Sequence, residues 1–215
     1  MNARFMDVEL MVERGVLVPR EETALLGNAA LEVLPDDARA IDMCCGAGNL
    51  ACALASRRPS ARIWASDLTD ACVKLARRNT VFANVQDRVY VGQGDLFAGL
   101  AGLGLDGTID LIVCNPPYIS QAKLAGERAA LLENEPREAF DGGPYGLSIH
   151  QRMVKEALPF LKPGGSLLFE IGLGQERQVK MLFERARAYE DLRTVANAAG
   201  AVRVVAARKI NPRGN

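Results

Sequence analysis

The chain has 215 residues, 49% hydrophobic and 24% charged, which suffices for one substantial core and is ordinary for a globular protein. Lys+Arg and Asp+Glu stand at 26 each, so no global charge steers the protein towards nucleic acid. No apolar run approaches the ~18 residues of a membrane span, Met1 to Gly15 lacks the apolar centre of a secretory signal, and five cysteines without paired spacing point to reduced thiols in a cytoplasmic protein.

Residues 1–35 read as an N-terminal cap segment ahead of the first core strand. From Ala38 onward, short apolar runs alternate with helix-like segments. The runs 38–43, 61–66, 88–92, 109–114, 165–171, 191–197 and 202–208 read as strands, and 48–57, 69–82, 147–160 and 174–189 as helices. This repetition implies right-handed crossovers and a doubly wound, mostly parallel sheet in a single domain spanning 1–215. Only Ala198-Ala199-Gly200-Ala201 separate the last two strands, too short for a crossover, so they are expected to form an antiparallel hairpin. An α/β, Rossmann-like sheet closed by such a hairpin fits the class I S-adenosylmethionine-dependent methyltransferases better than a dehydrogenase. Lys162-Pro163-Gly164-Gly165 reads as the turn into the fifth strand, and the Gly-rich stretch 99–107 as a loop. Residues 119–146 are long, irregular and rich in Gly and Pro, as expected of a lid loop over a substrate.

The apolar run 109–114 stops at Asn115-Pro116-Pro117-Tyr118, because two prolines cannot continue a sheet ladder. In an open parallel sheet, ligands sit outside the strands' carboxyl ends. There the Asn115 Oδ1 and the Pro116 carbonyl can accept the two hydrogens of a planar –NH2 group while Tyr118 stacks on its plane. This suits methylation of an amide or amine nitrogen. Taken alone the tetrapeptide is also an ordinary turn.

The cofactor reading comes from three strand ends. Gly46 and Gly48, in Asp42-Met43-Cys44-Cys45-Gly46-Ala47-Gly48, permit a tight turn and close approach of backbone to a ligand. Asp67, followed by Leu68, stands where an acidic residue accepts the ribose hydroxyls of a nucleoside. Asp95 can accept from an adenine amino group and Leu96 can pack on its ring. Asp42 beside the glycine loop would repel a pyrophosphate but suits the cationic S-adenosylmethionine. Each acidic residue alone is also a plausible cap or turn residue; their joint placement favours the nucleoside site.

With these residues, the chain resembles the HemK/PrmC-type protein glutamine methyltransferases. Val18-Pro19-Arg20-Glu21-Glu22-Thr23 is similar to the family's Pro-Arg-Pro-Glu-Thr-Glu motif, and Glu135-Pro136-Arg137-Glu138-Ala139-Phe140-Asp141-Gly142-Gly143-Pro144-Tyr145-Gly146-Leu147 to its Glu-Pro…Gly-Gly…Gly-Leu loop. Phe169-Glu170-Ile171-Gly172 with Gln175 matches its fifth-strand exit, and Gly200 to Val205 its closing hairpin. The resemblance implies S-adenosylmethionine as donor and a glutamine amide of a release factor as acceptor. Departures are Cys44 for the first glycine of the loop, Glu21 for Pro and Ala24 for Glu. The helical N-terminal docking domain that such enzymes often carry is expected to be missing. A small metabolite, a peptide or an exocyclic amine of nucleic acid remain alternative acceptors, nucleic acid being disfavoured by charge. No oligomeric state is assigned.

Of the remaining residues, His150 is the sole histidine and takes a structural or surface role outside the catalytic set. Adjacent Cys44 and Cys45 are read as packing, with no metal site. Glu170 either contacts lid or cofactor or is a buried, hydrogen-bonded carboxylate. Arg20 and Glu22 either anchor the N-terminal segment over the cofactor or form a surface pair. Arg203, Arg208, Lys209 and Arg213 form either a local basic surface or, the favoured reading, a solvated tail after the last strand.

Overall fold

The computed structural model describes residues 2–133 and 135–211. Asn2–Phe5 (β1) and Val8–Met11 (β2) form an antiparallel hairpin. Its turn residues Met6 and Asp7 have φ of +46° and +69°, a doubly left-handed turn that matches the twist of the strands. Thr23–Val33 (α1) follows and ends where Leu34 becomes extended ahead of Pro35. The N-terminal segment is therefore a hairpin and a helix. Neither carries a clear sequence signal, since apolar residues run round most of α1 and the strands have four residues each.

The core continues with Arg39–Met43 (β3), Asn49–Arg57 (α2), Arg62–Asp67 (β4), Asp70–Phe82 (α3), Val89–Gln93 (β5), Ile109–Cys114 (β6), Gln121–Ala125 (α4), Ser148–Glu156 (α5), Leu161–Glu170 (β7), Glu176–Ala186 (α6), Tyr189–Ala196 (β8) and Val202–Lys209 (β9). The seven-stranded sheet has the order β5-β4-β3-β6-β7-β9-β8. β3 to β7 pair in parallel, and β9 is antiparallel to both β7 and β8, as the short final connection requires. This is the class I methyltransferase fold. The chain order reverses between β3 and β6, so their C-terminal loops diverge around a crevice.

Period-two alternation decides which side chains meet which helices. Ala40, Ala65, Leu111 and Val113 belong to a core with α1, α2 and α3, whereas Ile41, Met43, Ile112 and Cys114 pack with α5 and α6. Leu50 to Ala55 are all buried, and the alanines among them let α2 fit between the sheet and its neighbouring helices. Thr69 starts α3 by accepting the Cys72 amide at 3.2 Å, and the last turn of α6 is closed by Arg187 at φ +51°.

Two boundaries differ from expectation. Residues 162–165 lie inside β7: Ile109 pairs with Leu161, the register then slips before Leu111 meets Ser166, and a Cβ on Gly165 would stand 2.8 Å from the Ile109 carbonyl. The Asp110 carboxylate holds this bulge by pairing with Lys162 and accepting the Arg39 amide at 2.8 Å. The basic tail is likewise no tail. Arg203, Arg208 and Lys209 are β9 residues, and Lys209 Nζ donates to the Leu158 and Leu161 carbonyls at 2.7 Å. Arg213 lies outside the described residues.

Candidate active site

The loop after β3 places Cys44, Gly46 and Gly48 at φ of +58°, +54° and +77°. Three left-handed residues in alternation make a tight loop, held by the Cys45 amide on the Ser66 carbonyl at 3.1 Å and the Gly48 amide on the Cys45 carbonyl at 2.8 Å. Cysteine takes this conformation at a cost that glycine avoids. A Cβ on Gly46 would meet nothing within 4 Å, whereas one on Gly48 would press on Ala76 at 3.1 Å. Gly46 thus opens to the crevice, while Gly48 lets α2 approach α3.

Asp67, at the end of β4, clamps the loop. Its Oδ2 accepts the Gly46 amide at 2.9 Å and its Oδ1 the Thr69 amide at 3.2 Å. Two carboxylate oxygens offer about four lone-pair positions, so acceptor capacity remains for a ligand. Asp42 lies beneath, 1% exposed, with Oδ2 accepting the Ala51 amide at 2.9 Å and Oδ1 without a partner. Burial, partly countered by that amide and reinforced by Asp67, pushes its pKa up to about 7.

A cleft that opens to solvent occupies the switch point, where ligands of open parallel sheets sit. Cys44, Gly46, Asp67, Leu68, Asp95 and Leu96 line it on one side, and Asn115 and Pro117 on another. Leu17 and the lid residues Pro136, Glu138 and Ala139 cover it, and Ile149 closes one wall. A smaller cavity adjoins it, sharing Cys44, Gly46 and Asn115 and adding Asp42, Cys45 and Thr23. The Asp95 carboxylate is held by Arg152 Nη1 at 2.8 and 3.0 Å, a partner that nothing local in the sequence announces.

The Asn-Pro-Pro-Tyr turn is divided between cavity and frame. Asn115 Nδ2 donates to Thr23 Oγ1 at 2.9 Å. Pro116 is buried and lines neither cavity. Tyr118 lies behind the cavities; its hydroxyl donates to Glu170 Oε1 at 3.1 Å and accepts from Arg203 Nη2 at 3.1 Å. Burial and the Glu170 charge raise the Tyr118 pKa to about 12, so it remains a neutral phenol. Ala47 and Gly48 also stand outside both cavities; the Ala47 carbonyl accepts from Asn79 at 2.9 Å.

The lid is only partly irregular. It contains α4, single helical turns at Ala129–Glu133 and Arg137–Ala139, and a bridge between Ile119 and Asp141. Gln175 joins it to the frame, donating to the Tyr118 and Gly146 carbonyls at 2.9 and 3.0 Å and accepting the Gly172 amide at 2.8 Å. Arg20 pairs with Glu135 of the lid and not with Glu22, which is exposed. His150 is fully buried, with Nε2 donating to the Glu170 carbonyl at 3.0 Å, so its role is structural. Glu170 is the buried, hydrogen-bonded carboxylate of the two readings, 3% exposed.

Residues 23–143 match the Methyltransferase small domain family. A release factor glutamine methyltransferase of Moorella thermoacetica is 38% identical over 201 residues, covering 93% of this chain and 69% of that protein. The chain belongs to the release factor glutamine methyltransferase family. As such it is an S-adenosylmethionine-dependent methyltransferase, of the HemK/PrmC type that the motifs suggest. Among solved structures, a methyltransferase from Pyrococcus furiosus shares the fold with a TM-score of 0.66 at 17% identity, covering 94% of this chain and 89% of that one. An RNA methyltransferase from Salinibacter ruber in complex with S-adenosyl-L-homocysteine has a TM-score of 0.56 at 19% identity, covering 92% and 97% of the two chains. In the family member described here the donor set is consistent with that cofactor class: an acidic strand end, apolar flanks and a buried carboxylate oxygen still without a partner.

Proposed function

We propose that this protein methylates the side-chain amide nitrogen of a glutamine in a release factor, with Asn115 holding the acceptor. S-adenosylmethionine, when bound, supplies an electrophilic methyl group on a sulfonium. Asp67 would accept from the ribose hydroxyls with its free lone pairs, Leu68 and Leu96 would flank the adenine, and Asp42 supplies a buried acidic group suited to a cationic ligand. Asp95, Cys44, Cys45 and Gly46 complete the donor pocket.

The observation that carries the acceptor reading is the Asn115 amide. Its Nδ2 is spent on Thr23, which leaves Oδ1, the atom that can accept an N–H, as the free end of a side chain lining both cavities. The Pro116 carbonyl, bonded to a nitrogen with no hydrogen and followed by Pro117 of the cavity wall, would be the second acceptor. Together they would orient an amide nitrogen whose lone pair is otherwise delocalised. Positioning of this kind is worth up to about 7–11 kcal/mol. The nitrogen gains the methyl group and loses one proton to solvent, so no strong base is needed. The lid carries Glu133, Glu135, Arg137, Glu138 and Asp141, a mixed and net acidic set unlike one that tracks phosphates. The names of the relatives support a release factor as the substrate.

The test is tryptic mass mapping of release factors incubated with the protein and S-adenosylmethionine. One added methyl group on a glutamine is expected. Unmodified release factors, with methyl transfer to a small molecule instead, would overturn the assignment.

A further inference from the structure

Behind Asn115 lies a set of polar side chains that neither cavity uses fully. Thr23, 2% exposed on the first turn of α1, accepts the Asn115 Nδ2–H at 2.9 Å. The Thr23 hydroxyl also faces the carboxyl of Glu170, where it offsets part of the cost of burial. Glu170 in turn takes the Tyr118 hydroxyl at 3.1 Å on Oε1, with the Arg203 guanidinium 3.4 Å away; Oε2 is buried with no hydrogen-bond partner.

The chemistry of a hydroxyl gives this chain a direction. Thr23 has one hydrogen and two lone pairs, and a carboxylate only accepts. With the hydrogen turned to Glu170, the lone pairs are left for Asn115, so the group that satisfies them is –NH2. The reversed amide would set Oδ1 against those lone pairs, or take the hydroxyl hydrogen for itself and turn it from the buried, unpartnered Glu170 Oε2 that it otherwise faces. Arg203 and Tyr118 hold Glu170 in place, and α1 brings Thr23 to the end of β6.

We propose that Thr23, backed by Glu170, is the positioning residue that fixes the Asn115 amide with Oδ1 turned into the cavity. In its bearing on turnover the inference rests on the function proposed above; in its bearing on the amide itself it stands on the geometry alone. It assigns a task to the N-terminal helix: α1 sets the polarity of the acceptor site from outside the sheet.

Two readouts test it on the full chain. In ¹⁵N spectra, the Asn115 side-chain amide, assigned by its loss in Asn115→Ala, should exchange with solvent at least about tenfold more slowly than exposed asparagine amides. Thr23→Val, which replaces the hydroxyl by a methyl of similar size, should remove that protection, and Thr23→Ser should retain it. On a release factor, Thr23→Val should lower kcat at least about tenfold with the S-adenosylmethionine Kd within about twofold, and Thr23→Ser should recover most of the rate. An unprotected amide in the unmodified protein, or Thr23→Ser as impaired as Thr23→Val, would overturn the proposal. If the unmodified protein leaves release factors untouched, the proposed function fails and amide exchange still decides the positioning role.

Discussion

Arg20 and Glu135, 115 positions apart, form an ion pair that ties the N-terminal segment to the lid over the cofactor cleft. Glu135 also accepts the Val18 amide at 3.1 Å, so one carboxylate fastens two points of the segment. The Arg20 side chain is 44% exposed and that of Glu135 12%, a half-screened pair worth on the order of 1 kcal/mol. Glu135→Ala should therefore speed donor release by roughly fivefold while the fold persists. Stopped-flow dissociation of S-adenosylhomocysteine measures it, and an unchanged off-rate would show that the lid closes without this tie.

Asp67 offers a second measurement. Removing its carboxylate takes away the partner of the Gly46 and Thr69 amides as well as the proposed acceptor for ribose hydroxyls. Asp67→Ala should weaken donor binding by roughly 1.5–3 kcal/mol, the worth of hydrogen bonds to a charged group. Titration calorimetry reads this directly. Unchanged affinity would mean that Asp67 serves only to hold the loop.

The framework of this site was legible in the sequence because strand ends and glycine loops are local signals. Asp42, Gly46, Asp67, Asp95 and Asn115 each sit next to a clear apolar run, and the alternation of runs implied the sheet that gathers them. Contacts between distant segments left no such trace. Thr23 reaches Asn115 across 92 positions, Arg152 reaches Asp95 across 57, and Gln175 reaches Tyr118 across 57. Single polar residues on helices of ordinary pattern do not announce partners chosen by tertiary packing. The N-terminal hairpin was hidden for another reason. Its anchor is Asn79 on α3, which accepts the Met11 amide at 2.8 Å and donates to the Met11 carbonyl at 3.0 Å, a side-chain substitute for a sheet neighbour.

Asn115 itself should separate chemistry from binding. Asn115→Ala removes the free Oδ1 and leaves the Asp67 clamp and glycine loop untouched. Methyl transfer to a release factor should fall by about 100-fold or more, the scale seen on removing one preorganised polar group from an active site. Donor affinity, by calorimetry, should change by less than about threefold, well under 1 kcal/mol. An alanine variant with near-normal turnover would sink the acceptor model.

His150 and Asp42 act on acid stability with opposite sign. Burial lowers the His150 pKa from 6.5 to about 4, countered in part by the Glu170 carbonyl. The folded protein favours the neutral ring, so this contribution is complete above pH 6.5 and is lost as pH falls through about 4. The difference corresponds to about 3 kcal/mol. Asp42 runs the other way: its pKa rises from 3.8 to about 7, so its contribution is complete at pH below 3.8 and is lost as pH rises through about 7. That difference corresponds to about 4 kcal/mol. Between roughly pH 4 and 6.5 one group gains what the other loses, and their slopes nearly cancel. Substitution separates them. His150→Gln leaves Asp42 unopposed, so its melting temperature should rise relative to that of the unmodified protein as pH is lowered from about 6.5 to 4.5. Asp42→Asn leaves His150 unopposed and should fall behind over the same range. Scanning calorimetry at several pH values checks both, and two variants that track the unmodified protein in parallel would show that neither group titrates differently in the folded and unfolded chain.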